Sequence, residues 1–192
     1  PVAHAEEFVS ESSVTCHTEV EHGIPHEASQ SYVAEHDIDL VSMGTHGRTG
    51  LDRLLLGSVT ERVVRTSDVP VLTTRHEPDD RSSYDRIGIP TDGSESATAA
   101  LDHGIAIAER SDATAHALSV VDINAVAGAY DAGPGIPHLL ESLEEGCEQA
   151  VAAVEDECEN RDVDIVTDVV QGTPYRAIRE YVDDEGIDHG RE

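Results

Sequence analysis

Gly44, Gly47, Gly57 and Ser58 are spaced to build a hollow of phosphate size directly behind an apolar strand. From Ile38 the chain passes through Leu40, Val41 and Met43 into Gly44-Thr45-His46-Gly47-Arg48-Thr49-Gly50. After residues 51–56 it reaches Gly57-Ser58-Val59-Thr60-Glu61. An apolar strand that empties into glycines ahead of a helix presents main-chain N–H groups to an anion. Glycine permits positive φ and lets a ligand come close to the backbone. Ser58 with Glu61 three residues on is a capping-box pattern, which predicts a helix with its positive end toward the loop. Arg48 is placed to add a charge-assisted hydrogen bond. A tight turn made only to redirect the chain needs the same glycines, so spacing alone leaves both readings open. The P-loop form is excluded because it needs a lysine and the chain has none. No Gly-x-Gly-x-x-Gly fingerprint is present either.

Other reactive residues point less firmly to chemistry. Asp92-Gly93-Ser94 reads as a nucleophile beside an acid or, more commonly, as a turn aspartate and a helix cap. No Gly-x-Ser-x-Gly elbow exposes a serine. Cys16, His17, His22 and His26 lie close in sequence but match no standard zinc spacing, so no metal site is expected. Asp52 and Glu61 are suited to orienting water or Mg²⁺, and equally are helix-start acids favoured by the dipole.

The charge balance bounds the partners. Forty acidic residues face 12 basic ones, a formal net charge of −28, and every basic residue is arginine. Acidity spread this evenly suits a protein of strong salt, where repulsion is screened and hydrated carboxylates maintain solubility. An acidic interaction surface is the other reading. Nucleic acid is an unsuitable partner, since phosphate backbones are held by clustered Lys and Arg. No apolar run approaches the roughly 18 residues of a membrane span, and no secretory leader opens the sequence. The three cysteines, Cys16, Cys147 and Cys158, form no Cys-x-x-Cys pair. A cytoplasmic location without membrane association is therefore expected. With one Phe and no Trp, the core must be built from Val, Ile, Leu and Ala.

The elements that position these residues come as an internal repeat. A shift of 149 positions lays Gly23-x-Pro25 on Gly172-x-Pro174, Tyr32-Val33 on Tyr181-Val182 and Ile38-Asp39 on Ile187-Asp188. Val14 and Val20 fall on Val163 and Val169. Each copy is expected to run helix end, strand, Gly-x-Pro turn and helix, with Pro25 and Pro174 in the first turn. Between the copies, residues 86–90 read as a buried strand running into Thr91-Asp92-Gly93-Ser94. A helix follows, capped by Ser94, with Ala97, Ala100, Leu101, Gly104, Ile105 and Ala108 on one face. Residues 115–121 read as the next strand, and 124–137 as a mobile loop rich in Gly, Ala and Pro. Leu140, Leu143, Cys147, Ala150, Val151 and Val154 mark a long amphipathic helix. The apolar-free stretch 76–83 reads as a linker. Strands alternating with helices imply a parallel sheet covered on both faces.

Gly44-x-x-Gly47-x9-Gly57-Ser58 resembles the nucleotide-binding signature of the universal stress protein family, of which many members bind ATP and others do not. Residues 87–95, Ile-Gly-Ile-Pro-Thr-Asp-Gly-Ser-Glu, resemble that family's first strand, and Val69-Pro70-Val71-Leu72 its last. The resemblance covers nearly the whole chain as a tandem, haloarchaeal-type pair. It implies an α/β fold: a doubly wound, parallel five-stranded sheet of order 3-2-1-4-5, of the adenine-nucleotide alpha-hydrolase-like type. It further implies that Asp92 contacts the adenosine end of ATP, with or without Mg²⁺. Gly44, Gly47, Gly57, Ser58, Val59 and Thr60 would hold ribose and phosphates. A regulatory ATP binder in stress response is the first reading. A slow ATPase is disfavoured by the lack of a lysine clamp, an arginine finger and a general base. The third is a non-binding scaffold that dimerises with itself or pairs with other universal stress proteins.

Both copies are incomplete against the family pattern. Residues 1–75 hold the later elements of a first repeat and lack the first two strands and the aspartate. Residues 84–192 hold the earlier elements of a second, in which six residues, the whole buried strand, are missing between Ile187-Asp188 and His189-Gly190-Arg191. A fragment or a disrupted coding region is the inference from this. The expectation is a circularly permuted domain, the strand near Ile87 pairing with the glycine-loop strand. The roughly 14 residues between Leu72 and Ile87 are long enough to recross a strand at about 3.3 Å per residue.

Overall fold

A computed structural model describes Val9 and residues 14–45, 57–74, 84–127 and 136–187. The expected linker 76–83, the loop residues 128–135, and Gly47, Arg48 and Asp52 lie outside the described residues. The chain divides into two compact units, Pro1–Glu77 and Pro78–Glu192.

Unit one contains α1 (Pro25–Glu35), β1 (Val41–Gly44), α2 (Ser58–Thr66) and β2 (Val71–Thr74). β1 and β2 pair in parallel, with Val41 opposite Val71 and Gly44 opposite Thr74. Val63 of α2 is fully buried, and the Gln30 amide donates to the Thr66 carbonyl at 2.8 Å, tying α1 to α2. The strand expected ahead of the Gly23-x-Pro25 turn does not form, residues 14–22 being without strand pairing. A strand of that kind needs a neighbour to complete its hydrogen bonds, and no ladder among the described residues offers one.

Unit two contains β3 (Arg86–Pro90), α3 (Glu95–Ser111), β4 (Thr114–Asp122), α4 (Ile123–Ala127), α5 (Ile136–Asn160), β5 (Ile165–Gly172) and α6 (Pro174–Asp184). The three strands are parallel in the order β3-β4-β5, with Gly88 opposite His116 and Ala117 opposite Thr167. The parallel α/β architecture is thus present in both units. The described strands form two sheets and not the single five-stranded sheet expected: the order 3-2-1 appears in β5-β4-β3 and the order 4-5 in β1-β2, and no ladder among the described residues pairs the strand near Ile87 with the glycine-loop strand. The expected loop over 124–137 is narrower than anticipated, because α4 and the start of α5 claim both its ends.

β4 is the centre of unit two. Its alternate residues Ala115 and Ala117 join Ile89, Leu101, Ile105, Ala108, Val151, Val154, Cys158 and Val163 in one core. Small side chains on the strand let α3 and α5 come close, which compensates for the lack of aromatics. A β-carbon on Gly104 would already lie 3.4 Å from the Ile89 side chain. Successive strand residues face opposite sides, so His116 and Leu118 point to the other face, where His116 meets Tyr181 of α6. Helices therefore cover both faces. α3 ends on Asp112 in the left-handed region at φ 55°, a conformation aspartate tolerates. Arg161 then pairs with Glu157 and with Asp102, joining the end of α5 to α3.

Val154 is fully buried against this core, whereas Val166 is 41% exposed. Val154→Ala should lower unfolding free energy by about 2 kcal/mol, the loss of two buried methyl groups plus the cavity left behind. Val166→Ala should cost under about 1 kcal/mol. Chemical denaturation of the two variants at one salt concentration measures the difference, and equal losses would contradict this core.

Candidate functional site

The glycine bend of unit one is assembled by main-chain contacts. β1 ends at Gly44, and Thr45 continues its pairing by donating its amide to the Thr74 carbonyl at 2.9 Å. The Gly57 amide then donates to the Thr45 carbonyl at 2.8 Å, which brings the start of α2 back against the strand end. A β-carbon on Gly57 would stand 3.0 Å from that carbonyl oxygen, a tight contact that favours glycine here. The Thr60 hydroxyl, buried, closes the turn by donating to the Gly44 carbonyl at 2.9 Å.

This geometry corrects one expectation. The helix begins one residue earlier than the capping-box pattern predicts: Gly57 is its cap and Ser58 its first helical residue, with no side-chain cap bond. Inside the first turn, Ser58 is too far along the helix to accept from its own third residue. Glu61 instead pairs with Arg65 at 3.1 Å on an exposed face, an arrangement of little energetic consequence. The first-turn amides of Ser58, Val59 and Thr60 have no partner within the helix, as at any helix start. Gly44, Gly57, Ser58, Val59 and Thr60 are thus gathered at one strand–helix junction.

Asp92 sits in unit two, at the carboxyl end of β3. Thr91 donates its amide to the Leu118 carbonyl at 2.8 Å and accepts from the Gly93 amide on its Oγ1 at 3.2 Å. Gly93 adopts φ 73°, and a β-carbon there would press Ala150 at 3.3 Å. The Asp92 carboxylate accepts from the Ser94 amide at 3.0 Å. Hydrogen bonds from Ser94, side chain first and then backbone, hold the exposed Asp92 carboxyl below its ordinary value. Ser94 caps α3 as predicted, its Oγ accepting from the Ala97 amide at 3.2 Å. The turn-and-cap reading of Asp92-Gly93-Ser94 therefore holds, and it leaves a charged carboxylate exposed at the strand end.

Polar residues that sequence reasoning missed surround the ends of β4 and β5. Asn124 donates to Asp122 at 2.9 Å and to Thr173 at 3.2 Å. Gln171 donates to Glu144 at 2.6 Å. The carboxyl ends of parallel strands are where ligands bind in open α/β sheets, and that rule alone pointed to them. His17 and His22 are exposed, and His26 lies 3.5 Å from Arg62. No group of three or more metal-ligating side chains occurs among the described residues. A hollow of about 270 Å³ lined by Ile24, Ala28, Tyr32, Glu27 and Glu35 borders α1 and includes none of the glycine-bend residues.

The family model for the universal stress protein family matches residues 3–75 and 83–189. Universal stress protein MJ0531 of Methanocaldococcus jannaschii is 41% identical over 68 residues, 35% of this chain and 40% of that protein. Universal stress protein MJ0577 of the same organism is 44% identical over 55 residues, 29% of this chain and 34% of its own length. The matched stretches thus span well under half of those relatives. The crystal structure of a universal stress protein from Archaeoglobus fulgidus is similar in fold. Its TM-score is 0.65 at 20% identity, covering 96% of this chain and 62% of that one. With the family model matching on both sides of residue 80, and parallel α/β structure in each unit, the chain belongs to the universal stress protein family.

Proposed function

We propose that this protein binds ATP, or another adenine nucleotide, as a regulatory ligand rather than as a substrate. The observation that carries the reading is the Gly44–Thr60 junction. There the Gly57 and Thr60 contacts fix the first turn of α2 against a strand end, with its amides arranged for an anionic tail. Gly44, Gly57, Ser58, Val59 and Thr60 form the phosphate-binding half of the signature, with Gly47 and Arg48 beyond the described residues. Asp92, ionised and held by Ser94, is the residue of the second copy that matches the family's adenosine contact. Binding without turnover is supported by the composition. The chain has no lysine to clamp phosphates, and Glu61, the carboxylate in the first turn of α2, is paired with Arg65. Mg²⁺ accompanies the nucleotide through its phosphates in this reading.

The tandem-repeat organisation belongs to the same proposal, as does association with a second copy or with other universal stress proteins. Adaptation to strong salt and a cytoplasmic location follow from the charge and composition in this reading. No helix among the described residues is long and apolar enough to cross a membrane.

Titration calorimetry with ATP in concentrated KCl tests the proposal. Ser58→Asp is the informative variant, because an acid at a helix start is compatible with the helix dipole yet repels phosphate. It should weaken ATP binding about tenfold or more, near 1.4 kcal/mol, while the fold is retained. A folded wild-type chain with no affinity for ATP would leave the scaffold reading. Phosphate release at a rate abolished by the same variant would favour the ATPase.

The surface charge generates a second expectation. Raising KCl from 0.1 M to 1 M shortens the screening length from about 10 Å to about 3 Å. The melting temperature should rise over that range, and a fall would contradict adaptation to salt.

A further inference from the structure

β4 carries one buried ionisable side chain. His116 is 4% exposed and lies opposite Gly88 on one side and Val166 on the other. Its Nδ1 is 3.2 Å from the hydroxyl of Tyr181 on α6, and that hydroxyl donates to Asp168 Oδ2 on β5 at 3.1 Å. A phenol has one proton, and here the carboxylate takes it. The imidazole nitrogen must then be the donor, which places the proton of the neutral ring on Nδ1. The two rings also meet edge to face, with centroids 6.1 Å apart.

Apolar contacts also hold α6, where Ile178 and Val182 are half-buried. Ala177 is the one buried residue of the helix, at 9% exposure, and Tyr175 near its start is 74% exposed. Arg86 of β3 donates to the main-chain carbonyl of Glu185 just behind the helix, and Ile187 beyond it is buried. The polar chain across three elements adds to these apolar contacts in seating the helix on the sheet.

We infer that the His116–Tyr181–Asp168 chain is a proton-sensitive latch, holding α6 on the sheet at neutral pH and letting it lift when His116 takes a second proton at Nε2. The charged and titratable groups facing His116 are Arg86 from β3, Asp168 from β5, Tyr181 from α6 and Glu185 from the turn behind α6. Burial is the largest influence and opposes the charged ring, and the Arg86 guanidinium adds to it. Glu185 and Asp168 act the other way without reversing the balance, so the His116 pKa lies below its ordinary value. Tyr181, desolvated and donating to Asp168, stays protonated throughout. Its hydroxyl therefore remains a donor to the carboxylate and never accepts a proton from the ring. The sign follows from these directions. With α6 lifted, His116 binds its proton near pH 6.5, earlier than with α6 seated. The seating is fully stabilised above about pH 6.5 and weakens as pH falls toward the lower value of the seated state. Lifting would uncover the His116 and Leu118 side of β4, which is otherwise buried.

Hydrogen exchange of the full chain in concentrated KCl, corrected for the intrinsic pH dependence, tests this directly. Opening of residues 174–187 should increase about tenfold per pH unit below about pH 6.5, while α3 and α5 keep their protection. His116→Asn retains a side-chain N–H donor but does not titrate, and its opening should be independent of pH. Tyr181→Phe should open α6 at pH 7.5 already. Constant protection of 174–187 in the wild type, or an undiminished pH response in His116→Asn, would overturn the latch. An NMR titration of wild-type His116 gives an independent reading that needs no variant. A value below 6.5 supports the inference, and one at or above 6.5 defeats it.

Discussion

The strand–helix junction of unit one depends on a single close approach, that of Gly57 to the carbonyl of Thr45. A methyl group at residue 57 would stand 3.0 Å from that oxygen, closer than most side-chain carbons come, so the turn would have to give way. Everything downstream follows from the approach being allowed. The Gly57 amide satisfies the Thr45 carbonyl, Thr60 reaches back to Gly44, and the first turn of α2 comes to rest over the end of β1. Residues at this junction are therefore chosen less for what their side chains do than for what they leave out of the way.

Unit two applies the same economy of size to a core. A chain with one Phe and no Trp cannot fill wide gaps, so its layers must approach closely. Ala115 and Ala117 on β4, Ala108 on α3 and Ala150 on α5 are all buried, and Gly104 leaves room for Ile89. The acids are kept outside this core, where carboxylates remain hydrated. Some also serve the backbone. Asp37, Asp112 and Asp162 all occupy positive φ, roles in which glycine or asparagine is more usual.

Elements with a strong local signal were legible from the sequence. Ser94 was identifiable as a cap, the 3.6-residue pattern marked α3 and α5, and Gly-x-Pro marked the starts of α1 and α6. The glycine bend was legible too, because its residues act through spacing. What escaped was settled by tertiary contact. Ser58 and Glu61 have the right types for a capping box. The Gly57–Thr45 bond nevertheless moves the helix start one residue earlier, so the pattern no longer fits the geometry. His116 reads as one polar residue in a strand, and nothing in its neighbours shows that Tyr181 and Asp168 will reach it.

The repeated segments separate the two kinds of information. Ile38 donates to Val33 at 3.2 Å, and Ile187 to Val182 at 3.1 Å. Ahead of each, His36 and Glu185 close their helices on Tyr32 and Tyr181. Asp37 and Gly186 follow at φ 49° and 60°. The helix ends are the same because local sequence determines them. The preceding stretches differ completely. Val163, which leads into β5, is 9% exposed, whereas its counterpart Val14 is 67% exposed in a stretch that forms no strand. Val20 matches Val169, and Glu19 supplies an acid where Asp168 stands, so composition is not the reason. A helix closes its own hydrogen bonds, while a strand must borrow a neighbour's. β5 has β4 beside it, and residues 14–22 have no strand paired with them among the described residues. The same sequence pattern therefore carries a complete instruction for the helix end and only half of one for the strand.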